Sequence, residues 1–272
     1  MLNDLPPLRE ALAEHGLLAK KSFGQHFLLD LNLTRKIARL AGPFDGDPVI
    51  EVGPGPGGLT RALVETDASR VIAIEKDARF IPLLQDLADA VPGRLEIVEA
   101  DALKADERAL AGERGHVVSN LPYNVGTPLL IKWLTGPWRP RSMTLMFQKE
   151  VADRIAASPG DDAYGRLSVI AQAICTARVV MNLPAAAFTP PPKVASAVVR
   201  LTPVADAPPA DQIAALERVT AAAFGQRRKM LRSSLKTLGG EALCERAGID
   251  ANARAETIPV DGFLRIARAL GA

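Results

Sequence analysis

The stretch Glu51-Val52-Gly53-Pro54-Gly55-Pro56-Gly57-Gly58-Leu59-Thr60 follows a short run of β-branched residues and precedes a helical pattern. Its glycines allow a sharp turn from a strand into a helix, and they leave no side chain between the backbone and a bound ligand. Gly53, Gly55 and Gly58 also match the dinucleotide-binding pattern, which has low specificity by itself. A P-loop is disfavoured because Leu59 stands where its phosphate-binding lysine belongs. The stretch therefore predicts a ligand-binding turn in an α/β sheet.

Short apolar runs alternate with helical stretches around this turn. The runs predict strands near residues 49–52, 71–74, 95–98, 117–118 and 143–147, with helices at 59–66, 78–90 and 127–134 between them. Such alternation predicts a parallel sheet covered by helices on both faces. Two further strands are predicted at 177–182 and 195–202. No equally clear helix separates these two, and they could close the sheet as an antiparallel edge.

A proline-rich segment, Pro203 to Pro209, ends the strand pattern, and only helical patterns follow it. We therefore predict a sheet domain at residues 1–203 and a small all-helical domain at residues 204–272. A length of 272 residues with 48% hydrophobic residues suits this arrangement. No apolar run reaches membrane-spanning length, the N-terminus is unlike a signal peptide, and the cysteines and histidines lack zinc spacing. We expect a cytoplasmic protein without metal or membrane.

Acidic residues occur at the ends of successive predicted strands. Glu75 lies 22 residues after Gly53, where it can accept hydrogen bonds from both hydroxyls of a ribose. Asp101, at the next strand end, can accept from an adenine amine. Pro54 and Pro56 remove two backbone donors that a pyrophosphate would use. The pattern favours S-adenosylmethionine over a dinucleotide. A merely structural turn and an NAD-dependent dehydrogenase remain alternatives, although no acid–base pair for hydride transfer is evident.

A fourth predicted strand ends in Asn120-Leu121-Pro122-Tyr123, at the position where doubly wound sheets bind ligands. These residue types suit methylation of an adenine N6 amine, whose lone pair is delocalised into the ring. The Asn120 side-chain oxygen and the Leu121 carbonyl can accept hydrogen bonds from the two N–H groups of the amine, which frees that lone pair. Pro122 restricts Leu121 to an extended conformation, and Tyr123 can stack on the base. A proline turn without function is the alternative interpretation of the tetrapeptide alone.

Together these residues resemble the ribosomal RNA adenine N6,N6-dimethyltransferase family, specifically its bacterial KsgA type. The resemblance covers most of the chain. Beyond the two motifs above, it rests on KSFGQHFL at 21–28, QKEVA at 148–152, YGRLS at 164–168, FTPPPKV at 188–194 and FGQRRK at 224–229. The last motif favours this type over the related Erm resistance methyltransferases.

The resemblance implies a class I methyltransferase (Rossmann-like) α/β fold and S-adenosylmethionine as methyl donor. It implies dimethylation of N6 on two adjacent adenosines near the 3′ end of small-subunit 16S rRNA, with a role in subunit biogenesis. The implied catalytic residues are Asn120, Leu121, Pro122, Tyr123 and Phe188, the last stacking on the base opposite Tyr123. The implied cofactor contacts are Gln25, His26, Leu28, Gly53, Gly55, Glu75, Lys76, Asp101, Ala102 and Asn120. Position 26 is often asparagine in the family, and a backbone contact would tolerate histidine there.

The charged residues are unevenly distributed. The 33 basic and 31 acidic residues give a net charge of only +2, but phosphate binding depends on local cationic surface. We predict that RNA is bound by a basic helix that carries Arg227, Arg228, Lys229, Arg232 and Lys236. Two other stretches, residues 15–39 and 178–200, also collect cations, among them Arg35 and Arg200. We expect a monomer that binds 16S rRNA in the small subunit or its precursor. A non-catalytic assembly factor with the same fold is the alternative.

Overall fold

The computed structural model describes residues 5–17, 26–226 and 228–271. The chain divides into two compact units. The first consists of Met1–Lys149 and Val179–Arg200, and the second of Glu150–Arg178 and Leu201–Ala272.

Nine strands are described. In chain order they are β1 (Phe27–Leu28), β2 (Val49–Val52), β3 (Val71–Glu75), β4 (Leu95–Glu99), β5 (His116–Asn120), β6 (Ser142–Gln148), β7 (Cys175–Leu183), β8 (Phe188–Thr189) and β9 (Ser196–Pro203). Seven of them form one sheet in the order β4-β3-β2-β5-β6-β9-β7, and the pairs from β4 to β6 are parallel. Every residue of β2 and β3 is buried, as expected for a sheet covered on both faces. The predicted α/β sheet is confirmed.

The strand order reverses between β2 and β5. From β2 the chain moves outward to β3 and β4, whereas from β5 it moves in the opposite direction to β6. The carboxyl ends of β2, β3 and β5 therefore border one crevice, which is where open α/β sheets bind ligands. The glycine turn, Glu75 and Asn120 lie at these three ends.

Twelve α-helices are described. They are α1 (Leu8–Glu14), α2 (Leu31–Ala41), α3 (Gly58–Leu63), α4 (Ile81–Ala90), α5 (Glu107–Ala111), α6 (Gly126–Thr135), α7 (Lys149–Ala156), α8 (Arg166–Ile174), α9 (Ala210–Gly225), α10 (Leu231–Ser234), α11 (Gly240–Ala247) and α12 (Val260–Gly271). The helices predicted between the parallel strands correspond to α3, α4 and α6. In the described ranges, no helix combines the length and the apolar character that crossing a membrane would require.

The second unit contains more than the predicted C-terminal helices. Glu150–Arg178 belongs to it because α8 packs against α9 and α12. Two hydrogen bonds fix this segment: Gly160 N donates to Glu256 O at 2.9 Å, and the Tyr164 hydroxyl donates to Ile258 O at 2.9 Å. The division therefore differs from the predicted one, 1–203 and 204–272, in placing this segment with the C-terminal helices.

Candidate active site

A cavity of the first unit opens at the crevice between the ends of β2, β3 and β5. Nine of the sequence-predicted site residues line it: His26, Leu28, Gly53, Gly55, Glu75, Asn120, Leu121, Pro122 and Tyr123. Within the described ranges, no group of three or more His, Cys, Asp and Glu side chains is placed to hold a metal ion. The cavity is the candidate active site because it gathers these nine residues.

The glycine turn passes very close to the segment that carries β1. Gly53 and Gly55 have φ angles of +66° and +54°, a left-handed conformation that glycine adopts without strain. A Cβ atom on Gly58 would stand 2.3 Å from the Leu28 carbonyl oxygen, and one on Gly55 would stand 3.2 Å from the Phe27 ring. Glycine at these positions therefore allows β1 to lie directly on the turn.

The Glu75 carboxylate joins two backbone segments of the cavity. Its Oε2 accepts from Gly55 N at 3.1 Å, and its Oε1 accepts from Asp77 N at 2.8 Å. The residue is buried, and burial raises the pKa of its carboxyl, while the backbone hydrogen bonds oppose that shift. Each carboxylate oxygen has a second lone pair. Glu75 can therefore hold the turn and still accept hydrogen bonds from a ligand.

Glu51 is a wall residue that was not among the predicted site residues. It is only 2% exposed, and its Oε2 has no hydrogen-bond partner among the described residues. Burial raises the pKa of its carboxyl to about 8, the Thr60 hydroxyl lowers it, and the nearby Glu75 charge adds to the rise. Glu51 is thus mostly neutral at pH 7. An acid within an otherwise apolar strand, two residues before Gly53, was the available sequence signal.

The tetrapeptide at the end of β5 packs against the glycine turn and the N-terminal segment. Pro122 lies close to Gly53: a Cβ atom on Gly53 would stand 3.3 Å from the Pro122 ring. The Asn120 side-chain nitrogen donates to the His26 carbonyl at 3.4 Å, which leaves its oxygen as an acceptor. The tetrapeptide is therefore fixed from two sides.

Tyr123 also lines the cavity and is half-buried. Its ring centroid lies 5.8 Å from that of His26, with an angle of 33° between the ring planes. Its hydroxyl lies 3.0 Å from the hydroxyl of Ser196. His26 is fixed in turn by a 2.8 Å hydrogen bond between its Nδ1 and the Pro190 carbonyl.

Four predicted residues do not line the cavity. Lys76 and Asp101 form an ion pair of 2.9 Å, and this hydrogen bond is the main cause that lowers the pKa of Asp101. The Ala102 carbonyl accepts from the Lys132 ammonium at 3.0 Å. Phe188 is 3% exposed and packs in the core, so stacking on a base would require its ring to leave that position. A fifth predicted residue, Gln25, lies outside the described residues.

The predicted basic helix is interrupted. Met230 has an extended backbone and forms an isolated antiparallel bridge with Arg254. The described part of the run, residues 228–238, therefore contains an irregular segment, the short α10 and a 3₁₀ turn at Lys236–Leu238. The prediction of one helix was wrong. Four of its five cations are exposed, and no ion pair within the described ranges involves them: Arg228, Lys229, Arg232 and Lys236. The fifth, Arg227, lies outside the described residues.

Two cations from the other basic stretches have structural contacts instead. Arg35 forms two hydrogen bonds of 2.8 Å with the Glu65 carboxylate. Arg200 donates to the carbonyl oxygens of Leu40, at 2.6 Å, and Gly42, at 3.1 Å. These guanidinium groups help to hold the first unit together and are not free for phosphate.

Residues 16–271 match the family model described as Ribosomal RNA adenine dimethylase. A relative from Phenylobacterium zucineum, named Ribosomal RNA small subunit methyltransferase A, is 72% identical over 269 residues, which cover 98% of this chain and 94% of the relative. The protein of that name from Caulobacter vibrioides is 74% identical over 252 residues, which cover 93% of this chain and 97% of the relative.

Two solved structures are similar over nearly the same extent. The dimethyladenosine transferase from Plasmodium falciparum has a TM-score of 0.74 at 26% identity, with coverage of 89% of this chain and 96% of that chain. The 23S rRNA methyltransferase ErmE has a TM-score of 0.70 at 27% identity, with coverage of 90% and 100%. The similarities in sequence and in structure thus point to the same class of enzyme.

Proposed function

The chain belongs to the ribosomal RNA adenine dimethylase family, and we propose that it dimethylates two adjacent adenosines near the 3′ end of small-subunit 16S rRNA. Methyl groups pass from S-adenosylmethionine to N6, and the products are N6,N6-dimethyladenosines in the small subunit or its precursor. The reaction contributes to small-subunit biogenesis. The observation that carries the proposal is the meeting of the glycine turn, Glu75 and the Asn120–Tyr123 tetrapeptide at one cavity.

The cavity residues fit S-adenosylmethionine. Glu75 can accept from the ribose hydroxyls, and the side-chain-free turn at Gly53 and Gly55 leaves its backbone accessible to the ligand. The unpartnered Oε2 of Glu51 is a buried acceptor, which suits a donor such as the α-ammonium of the cofactor. When bound, this cofactor supplies a methyl group activated by a positively charged sulfur.

The tetrapeptide supplies the chemistry on the acceptor side. The Asn120 oxygen and the Leu121 carbonyl accept hydrogen bonds from the two N–H groups of the adenine amine. These bonds draw the nitrogen towards a tetrahedral geometry and free its lone pair. Stacking on Tyr123 holds the base plane and is worth about 1–3 kcal/mol. No strong base is needed, because the nitrogen loses its proton after it has been methylated.

The exposed cations of the second unit support an RNA substrate. Arg228, Lys229, Arg232 and Lys236 carry four positive charges without an acidic partner among the described residues. Nucleic-acid affinity comes largely from such contacts with phosphates. The target adenines must be splayed out of the RNA to enter the cavity, and phosphate contacts can offset that energy.

Incubation with labelled S-adenosylmethionine and undermethylated small subunits tests the proposal. We expect label in 16S rRNA, and dimethyladenosine after its digestion to nucleosides. Asn120→Ala should abolish transfer while subunit binding persists. Subunit binding without transfer by the wild type would favour a non-catalytic assembly factor. Neither binding nor transfer, with reduction of NAD by a hydroxylated substrate, would favour a dehydrogenase.

A further inference from the structure

The buried Ser196 contacts the hydroxyl of Tyr123, the residue proposed to stack on the base. The Ser196 hydroxyl lies 3.0 Å from the Tyr123 hydroxyl, and Ser196 is 0% exposed. It is the first residue of β9, which is inserted between β6 and β7 in the sheet. The carbonyl of the preceding Ala195 accepts from Lys149 N at 2.9 Å. Ser196 therefore has a fixed position that belongs to the sheet.

Tyr123 itself lies in the turn between β5 and α6, where the backbone alone does not fix a side chain. Its second fixed neighbour is His26, next to its ring. A carbonyl can only accept, so the Nδ1 that contacts Pro190 O carries the imidazole proton. This bond fixes the histidine ring, and Tyr123 is thus held at its hydroxyl and beside its ring.

We infer that Ser196 is a positioning residue for adenine methylation, because its hydroxyl fixes the orientation of the Tyr123 ring. The inference rests on the proposed function. Stacking alone lets a base slide and rotate on the ring, and a ring free to turn would carry the N6 amine away from Asn120. Misplacement of reacting atoms by about 1 Å can slow a reaction by roughly 10²-fold. Ser196 is fully buried, so it acts on substrate only through Tyr123.

A double-mutant cycle tests this role. Ser196→Ala and Tyr123→Phe each remove one partner of the same hydrogen bond, and the phenylalanine keeps the stacking ring. We expect each variant to lower the single-turnover rate on undermethylated small subunits about tenfold, with the Kd for S-adenosylmethionine unchanged. The double variant should be no slower than either single one, because the bond can be lost only once. A double variant that is about 100-fold slower than the wild type, the product of two independent tenfold losses, would overturn the inference.

Ser142→Ala is the matched control. Ser142 is also a buried first residue of a strand, and its hydroxyl lies 2.8 Å from the Nδ1 of buried His116. It stands at the end of β6 opposite the cavity, so its removal should lower the melting temperature without slowing transfer. If Ser196→Ala does not fold, the single-turnover rate of Tyr123→Phe still tests the inference. A wild-type rate in that variant would overturn the positioning role of Ser196. No transfer by the wild type would instead contradict the proposed function.

Discussion

Gly55 and Glu75 are joined by a hydrogen bond of 3.1 Å from the glycine nitrogen to the carboxylate Oε2. The bond links the turn after β2 to the end of β3, two segments separated by the whole of α3. The second carboxylate oxygen accepts from Asp77 N at 2.8 Å. One buried side chain thus fixes the glycine turn against the end of β3.

Glu75→Ala should weaken the binding of S-adenosylhomocysteine by at least tenfold. The change removes the ribose acceptor and leaves the Gly55 and Asp77 nitrogens without this partner, which costs about 1–3 kcal/mol for a buried donor. Titration calorimetry measures the affinity. The control is Glu99→Ala, because Glu99 pairs with Glu75 across β3 and β4 but is exposed. Equal effects of both variants would contradict a specific role for Glu75.

Gly58→Ala should damage both stability and cofactor binding. Its Cβ would stand 2.3 Å from the Leu28 carbonyl oxygen, so the turn and the β1 segment must move apart. Such overpacking costs about 1–3 kcal/mol. Gly165→Ala is the control, since nothing lies within 4 Å of a Cβ at that position and its φ of −169° is ordinary extended backbone. Thermal unfolding with and without S-adenosylhomocysteine measures both effects. A wild-type melting temperature for Gly58→Ala would show that the close approach can relax.

Glu51 should make the cofactor-free protein less stable as the pH rises. Its pKa is about 8 in the folded protein, against an ordinary value of 4.5, so the folded state holds one more proton between these two values. Stability therefore falls by up to about 1.4 kcal/mol per pH unit across this window and levels off above pH 8. Glu51→Gln removes this dependence. In urea unfolding at pH 5, 7 and 8.5, the free energy of unfolding of the variant should rise relative to that of the wild type as the pH increases. Parallel curves would mean that Glu51 is already ionised at neutral pH.

The sequence predicted the sheet more completely than the second unit. β-Branched runs and helical stretches are local signals, so all seven sheet strands were predicted. The glycine turn after β2 and the polar residues at the ends of β3 and β5 marked the crevice. The placement of Glu150–Arg178 depends on contacts with distant residues, such as that of Tyr164 with Ile258. No local pattern carries that information.

The same difference applies within the site. The place of motif residues such as Asn120 at the cavity was predictable, because they lie at the end of a predicted strand. Ser196 was not, because a serine in an apolar strand has no distinguishing pattern until β9 is placed in the sheet beside Tyr123. Arg200 was predicted to be a cation of a basic stretch. Its structural role could not be predicted, because its carbonyl partners lie about 160 residues away in the sequence.

The exposed cations at the end of α9 provide the last prediction. Arg228→Glu with Lys229→Glu should weaken binding to small ribosomal subunits at least tenfold and reduce its dependence on salt. Each lost phosphate contact lowers the slope of log affinity against log salt by about 0.7–0.9. Cofactor affinity should not change, because neither residue lines the cavity. Charge reversal at Arg227 should act in the same direction.

The matched control for that pair is Arg246→Glu with Arg268→Glu, which reverses two exposed cations on α11 and α12 of the same unit. Both double variants change the net charge by −4, so a general effect of net charge would weaken subunit binding equally in the two. A loss confined to Arg228 and Lys229, measured by filter binding at 50 to 200 mM salt (about the range over which phosphate contacts lose most affinity), would locate the RNA contact at this turn. Equal losses would mean that RNA responds to the overall charge of the unit, and the predicted contact would then be wrong.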